Sequence, residues 1–350
     1  MNRTAARALG AAAAAFCAAV LFTGISARPA AAETTLVLSS WLPPKHPIVV
    51  NAIKPWAKQV AEATEGRVKV RVLAKPLGKP PAHFDMAAEG VADITYGLHS
   101  FTRDERFAAS RVGQFSFLGD DAVSASVAFW KVYTGDLGAG AEHQGTKLLG
   151  LFVHGPGALH NGVRRVEGAA DLSGLKIRVP GGYINELMSG LGATTQFMSA
   201  GEVYEKLSRG VIDGVTFTME ALTAFKLTDD IKYTLTVPGG LYNTTWFLVM
   251  NQAKWEGLSP EDRAAIEGVS GEAFARLVGA AWNEADEVAI AKIEDAGVKI
   301  HPASAGFLAE VGRQAKDLEA TWTAQMKERG LDGAAALAAF RGQTGAKVPE

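Results

Sequence analysis

A unit that occurs twice constrains this chain more than any other feature. Residues 89–93 read Glu-Gly-Val-Ala-Asp, and about 120 positions later residues 209–213 read Arg-Gly-Val-Ile-Asp. Each copy follows a strand-like stretch, a loop and a helix-like stretch. A strand, a helix and a returning strand bury their apolar faces as one layered unit, with a parallel pair and a right-handed crossover. Two such units predict an α/β chain of two lobes, with mostly parallel sheets flanked by helices. One large sheet with a chance echo is the alternative.

The second copy, Asp171 to Asp213, carries the chemistry. Leu175, Ile177 and Val179 fall on one face of a short strand, and Lys176 and Arg178 on the other. Pro180-Gly181-Gly182 stops the strand, which leaves Arg178 near a strand end, where ligands of α/β sheets sit. Taken alone, the strand suits an arginine paired with a surface acid better than a ligand contact. A second strand spans Thr194 to Met198, Ser199 to Glu202 reads as a capping box, and Gly210 closes the helix that follows.

The series D-L-x-G-L-K-I-R-V-P, then E-V-Y-x-x-L-x-x-G-V-I-D-G, resembles the solute-binding proteins of tripartite ATP-independent periplasmic (TRAP) transporters, the dicarboxylate-binding DctP-like type. The resemblance covers nearly all of the chain after its leader. It implies a two-lobed periplasmic binding protein fold with a long helix across both lobes. It also implies that Arg178 binds the carboxylate of an organic acid. Asn243 lies where the family places an asparagine on the ligand. Members for sialic acid carry a second arginine in the loop entering the second lobe; Gly157 holds that place here. A second carboxylate or a heavily hydroxylated sugar acid would lose its partner. The ligand expected is therefore a monocarboxylate with an apolar or aromatic part.

Arg3 and Arg7, an alanine-rich apolar run over 8–25 and Ala30-Ala31-Ala32 read as a cleaved signal peptide over residues 1–32. The single cysteine, Cys17, lies inside it behind Phe16, which does not suit a lipoprotein signal. Losing Arg3, Arg7 and Arg28 takes the basic count from 35 to 32 against 37 acidic residues, a formal charge of −5. A mildly acidic chain argues against nucleic acid or an anionic membrane surface as partner. The expected protein is periplasmic and monomeric, without a stable membrane anchor, and works with integral membrane TRAP permease subunits.

Periodicity predicts strands over 34–41, 67–73, 94–99, 147–154, 214–218, 233–237 and 246–251, and helices over 48–65, 82–89, 122–133, 304–329 and 334–341. From Ser259 the pattern is helical to Ala296, with Gly268 and Gly271 as possible kinks. The expected division puts 33–154 with about 269–308 in lobe I, and 155–268 with about 309–350 in lobe II. The chain crosses between them near His154.

Enzyme signatures are thin. There is no G-x-S-x-G elbow, no H-E-x-x-H, no cysteine metal cluster and no Walker loop. No enzyme activity, cofactor or metal is expected, although paired carboxylates would not be visible in a sequence. The other binding role is a sensor subunit that presents the acid to a signalling receptor; a periplasmic enzyme is a third reading. The candidate ligand contacts are Arg178, Asn243, Trp41, His46, His99, Phe101, His154, Gly157, Met198, Glu220 and Trp246. The tryptophans, Phe101 and Met198 fit an apolar ligand body and fit a protein core equally well. Glu220 suits a ligand hydroxyl, a cation or a helix cap.

Overall fold

The computed structural model describes residues 33–102 and 105–348. The expected leader, 1–32, lies outside them. Among the described residues no helix is long and apolar enough to cross a membrane.

Two sheets form the frame. The first has the order β2-β1-β3-β10-β4, with β1 Thr34–Ser39, β2 Val68–Val72, β3 Ile94–Leu98, β4 Thr146–Val153 and β10 Thr245–Asn251. The second has the order β11-β9-β5-β8-β6-β7, with β5 Ala158–Asn161, β6 Lys176–Val179, β7 Thr194–Phe197, β8 Gly214–Phe217, β9 Tyr233–Thr236 and β11 Lys299–Pro302. Pairings within each βαβ unit are parallel, β1 with β2 and β3, and β6 with β7 and β8. The exceptions are β10 and β5, each antiparallel to both neighbours. Each enters its sheet from the other one, so its direction is set by the crossing and not by a helical return.

The repeated pentapeptide has one structural role in both copies. Asp93 carboxylate accepts the Val37 N–H of β1, and Asp213 carboxylate accepts the Lys176 N–H of β6. The backbone N–H of each aspartate returns a bond to the same residue's carbonyl. Ahead of them Gly90 and Gly210 take φ of 76° and 67°, the left-handed turn that ends each helix. The echo is thus a helix stop followed by a side-chain clamp on the strand that opens the unit.

Strand membership departs from the expected division at two places. Residues 245–251 pair in the first sheet although 155–268 was assigned to lobe II, and residues 299–302 pair in the second although 269–308 was assigned to lobe I. The cause is a second and a third crossing. Leu241 N–H donates to Gly157 carbonyl and Gly157 N–H to Tyr242 carbonyl, so the 237–244 segment returns alongside the outgoing 154–157 segment. The third crossing is helical. Helix Pro260–Gly268 breaks at 269–271, where Gly271 has φ 59°, and helix Glu272–Asp295 continues. Its Phe274, Val278 and Trp282 pack in the core against the first sheet, and its Ala289 and Ile293 in a core on the second. A third core, with Phe115, Tyr183, Trp322 and Phe340, ties both sheets together behind the crossings.

Candidate functional site

The crossings place strand ends from both sheets around one cavity. Trp41 and Leu42 follow β1, Leu98 ends β3 with Phe101 just beyond it, and Trp246 stands at the start of β10. Trp41 and Trp246 stack at 5.3 Å with planes 4° apart, and Trp282 from the long helix lies 6.1 Å from Trp246. The facing wall comes from the second sheet: Arg178, Pro180, Ala200 and Phe217, with Phe225 stacked on Phe217 at 5.8 Å. The lining is aromatic on both sides, and polar groups are few.

Arg178 is the first of them. It is 2% exposed, and its guanidinium lies over the Phe217 ring at 4.2 Å. Nε donates to Met198 carbonyl at 3.0 Å and Nη1 to Thr216 carbonyl at 3.1 Å. These bonds orient the fork and leave N–H groups over. Among the described residues no carboxylate stands within ion-pair distance of it. Burial lowers the guanidinium to about 10, which leaves it cationic at neutral pH. A buried charge with no counter-charge is costly unless an anion completes it.

His46, His154, Glu220 and Trp282 form the second polar group. His46 Nδ1 accepts the Ile48 N–H at 3.3 Å, so its proton sits on Nε2, 3.8 Å from Glu220. His154 Nδ1 meets the Gly155 carbonyl and must donate there, which leaves Nε2 a bare acceptor. Burial lowers His46 to about 3 and His154 to about 4, so both rings are neutral. Burial raises the Glu220 carboxyl well above its ordinary range, and nearby Asp286, which accepts the Glu220 N–H at 2.8 Å, raises it further.

Of the expected contacts, Arg178, Trp41, His46, Phe101, His154, Glu220 and Trp246 line this cavity. Four do not. The Asn243 amide is anchored at the crossing: Oδ1 accepts the N–H of His154 and of Thr244, and Nδ2 donates one N–H to His154 carbonyl. His99 opens a helical turn that swings it away from Leu98 and Phe101. Its ring packs 4.9 Å from Phe107, with Nε2 3.0 Å from His143 Nε2. Met198 contributes its carbonyl to Arg178, while its half-buried side chain packs on the second-sheet core. Gly157 faces Tyr242, not the cavity: a Cβ there would stand 2.3 Å from the Tyr242 ring and 2.6 Å from its carbonyl oxygen. Tyr242, itself a cavity wall, occupies the space that a larger side chain at 157 would need.

Gly157→Ala should therefore displace Tyr242. Overpacking of this kind costs about 1–3 kcal/mol, to be read as a lower urea midpoint, with weaker ligand binding beside it. An unchanged midpoint would mean that the Tyr242 ring moves aside freely.

Tyr242, Phe217, Trp282, Thr218, Thr244 and Phe225 also line the cavity and were not among the expected contacts. For Tyr242 a signal existed: it precedes Asn243, and a glycine opposite a tyrosine marks close packing. Trp282 sits in mid-helix, and no local pattern marks it.

A cavity between two sheets, reached by strand ends from both and bearing an unpaired buried cation, defines a two-lobed receptor for an anionic small molecule. The model for bacterial extracellular solute-binding proteins, family 7 (DctP), matches residues 38–325. The outer membrane transporter protein TsaT of Comamonas testosteroni is 30% identical over 334 residues, which span 94% of this chain and 97% of that one. A TRAP periplasmic solute-binding protein of Bordetella bronchiseptica, solved with (R)- and (S)-mandelate, aligns with TM-score 0.86 at 37% identity, covering 89% of this chain and 99% of that one. A marine metagenome TRAP solute-binding protein specific for aromatic acid ligands, solved with metahydroxyphenylacetate, aligns with TM-score 0.83 at 34% identity, covering 89% and 99%. The chain belongs to the DctP family, the solute-binding proteins of TRAP transporters.

Proposed function

We propose that this protein captures a monocarboxylate with an aromatic or apolar body in the periplasm and hands it, chemically unchanged, to the permease subunits of a TRAP transporter. The observation that carries this reading is Arg178, a buried guanidinium in an aromatic cavity with no carboxylate at ion-pair distance among the described residues. A carboxylate would meet its free N–H groups in charge-assisted bonds, and the stacked tryptophans would cover an apolar body. The aromatic acids held by the similar proteins of Bordetella bronchiseptica and the marine metagenome support the same ligand class. The protein acts as a monomer after loss of residues 1–32, its two lobes close on the acid, and no covalent step occurs. Tyr242 in the place of a second cation disfavours diacids.

A thermal-shift screen followed by calorimetry tests this. Benzoate and phenylacetate derivatives should raise the melting temperature more than succinate, malate or sialic acid, since a ligand that binds only the folded chain stabilises it. The acid should be recovered unaltered after prolonged incubation. A dicarboxylate that binds tightest, or product formation, would overturn the proposal.

A further inference from the structure

Three buried polar atoms of the cavity's own residues have no hydrogen-bond partner: His154 Nε2, Trp282 Nε1 and Glu220 Oε2. Side chains this deeply buried are ordinarily satisfied, and each lost bond leaves a desolvated group. The His154 and Trp282 rings lie 6.1 Å apart, and His46, 6.2 Å from Trp282, brings Glu220 to the same end. Their chemistry is complementary and not repetitive. With Nδ1 committed to the Gly155 carbonyl, His154 Nε2 accepts only. An indole N–H donates only. A group that satisfies both must give one hydrogen bond and take another.

We infer that this cluster is a second recognition point, which takes a hydroxyl group on the ligand: the hydroxyl donates to His154 Nε2 and accepts from Trp282 Nε1–H, with Glu220 beside it. The preferred ligand is then an aromatic hydroxy acid, with its carboxylate on Arg178. The inference rests on the carboxylate-capture reading above and narrows its substrate class. A carboxylate in place of the hydroxyl would have no proton to donate to His154 Nε2. A bare hydrocarbon would leave both polar atoms desolvated. A site built to hydrogen-bond a hydroxyl rejects the analogue lacking it far more strongly than a hydrophobic pocket rejects a missing methylene.

The test compares each parent acid with its hydroxylated forms by calorimetric titration: benzoate against its three monohydroxy isomers, and phenylacetate against mandelate and its three ring-hydroxylated isomers. At least one hydroxylated acid should bind ten times or more tighter than its parent. Trp282→Phe keeps a ring and removes the N–H. His154→Phe removes the acceptor, and Trp282→Phe decides the matter if that chain does not fold. In either variant the ratio between hydroxylated acid and parent should fall to within threefold, whatever happens to the parent's own affinity. Parents that bind as tightly as every hydroxylated form would overturn the inference and leave carboxylate capture standing, the cluster then holding water. A ratio that survives Trp282→Phe overturns it as well. Failure of every acid to bind overturns both readings.

Discussion

Calorimetric titration of Arg178→Ala with an acid that saturates the parent protein should register no binding. Among the described residues the guanidinium is the one cation that lines the cavity, and burial by aromatic rings keeps water from screening it. Truncating one member of a desolvated, hydrogen-bonded charge pair costs about 2–5 kcal/mol, much of it from stranding the other charge. At 1.4 kcal/mol per decade that is roughly 30-fold to several-thousand-fold in affinity. The substitution also strips two buried carbonyls, of Met198 and Thr216, of their donor. An unsatisfied buried acceptor costs about 1–3 kcal/mol, so Arg178→Ala should melt earlier than the parent. Arg178→Lys separates the two effects. It keeps a charge and reaches one partner, yet has no planar fork to hold two carbonyls and a carboxylate together. It should fold with a smaller loss and still bind at least tenfold more weakly than the parent. If Arg178→Ala folds and binds within threefold of the parent, the buried guanidinium serves only the Met198 and Thr216 carbonyls, and the ligand site lies elsewhere.

What the sequence could reveal of this site follows from how local each contact is. Arg178 was legible because alternation and a Pro-Gly-Gly stop place it at a strand end, and the surrounding motif is long. The two pentapeptides were legible because helix stop, clamp and strand lie close together in each copy. Strand β5 was not, since Ala158–Asn161 is buried on both faces and shows no alternation. It reads as loop until a partner strand exists. Strand β11 is equally short, and both owe their pairing to crossings that no local pattern encodes. Facing was the other weakness. His99 and Phe101 were both expected at the ligand, but the helical turn at 99–101 sends His99 to a buried histidine pair and leaves Phe101 on the cavity. Asn243 was expected on the ligand, but it stands outside the cavity lining and its amide closes on the backbone of the opposite crossing segment. The unpartnered atoms of His154 and Trp282 emerge only from three-dimensional accounting, which no spacing rule replaces.

Stability should fall steeply between pH 6.5 and about 4.5, and the histidines decide it. Six are lowered by burial: His46 to about 3, His99 to about 3, His154 to about 4, His160 to about 4, His83 below its ordinary value and His143 well below. The His99–His143 contact at 3.0 Å between Nε2 atoms has room for one proton and not two. In the unfolded chain these rings titrate near 6.5, whereas in the folded chain burial keeps them neutral to lower pH. Their contribution is complete above pH 6.5 and is lost as pH falls toward the folded values. Three carboxyls act in the opposite sense. Burial raises Asp286 to about 7, raises Glu220 well above its ordinary value and raises Glu142. These hold protons in the folded chain that the unfolded chain releases, so their contribution is present at acid pH and lost as pH rises through the folded values. Five strongly lowered rings against two strongly raised carboxyls, with His83 and Glu142 opposed in sign, leave a net uptake of about two to three protons on unfolding near pH 5.5. At about 1.4 kcal/mol per proton per pH unit, the slope is about 3 kcal/mol per pH unit. A domain holds only about 5–15 kcal/mol in all, so two pH units remove much of it. Urea unfolding at pH 7.5, 6.5, 5.5 and 5.0 measures the slope directly: the midpoint should hold nearly level from 7.5 to 6.5 and then drop at each lower step. Midpoints that stay constant from pH 6.5 to 5.0 would mean that the buried rings take up their protons without unfolding, and the balance of groups set out here would fail.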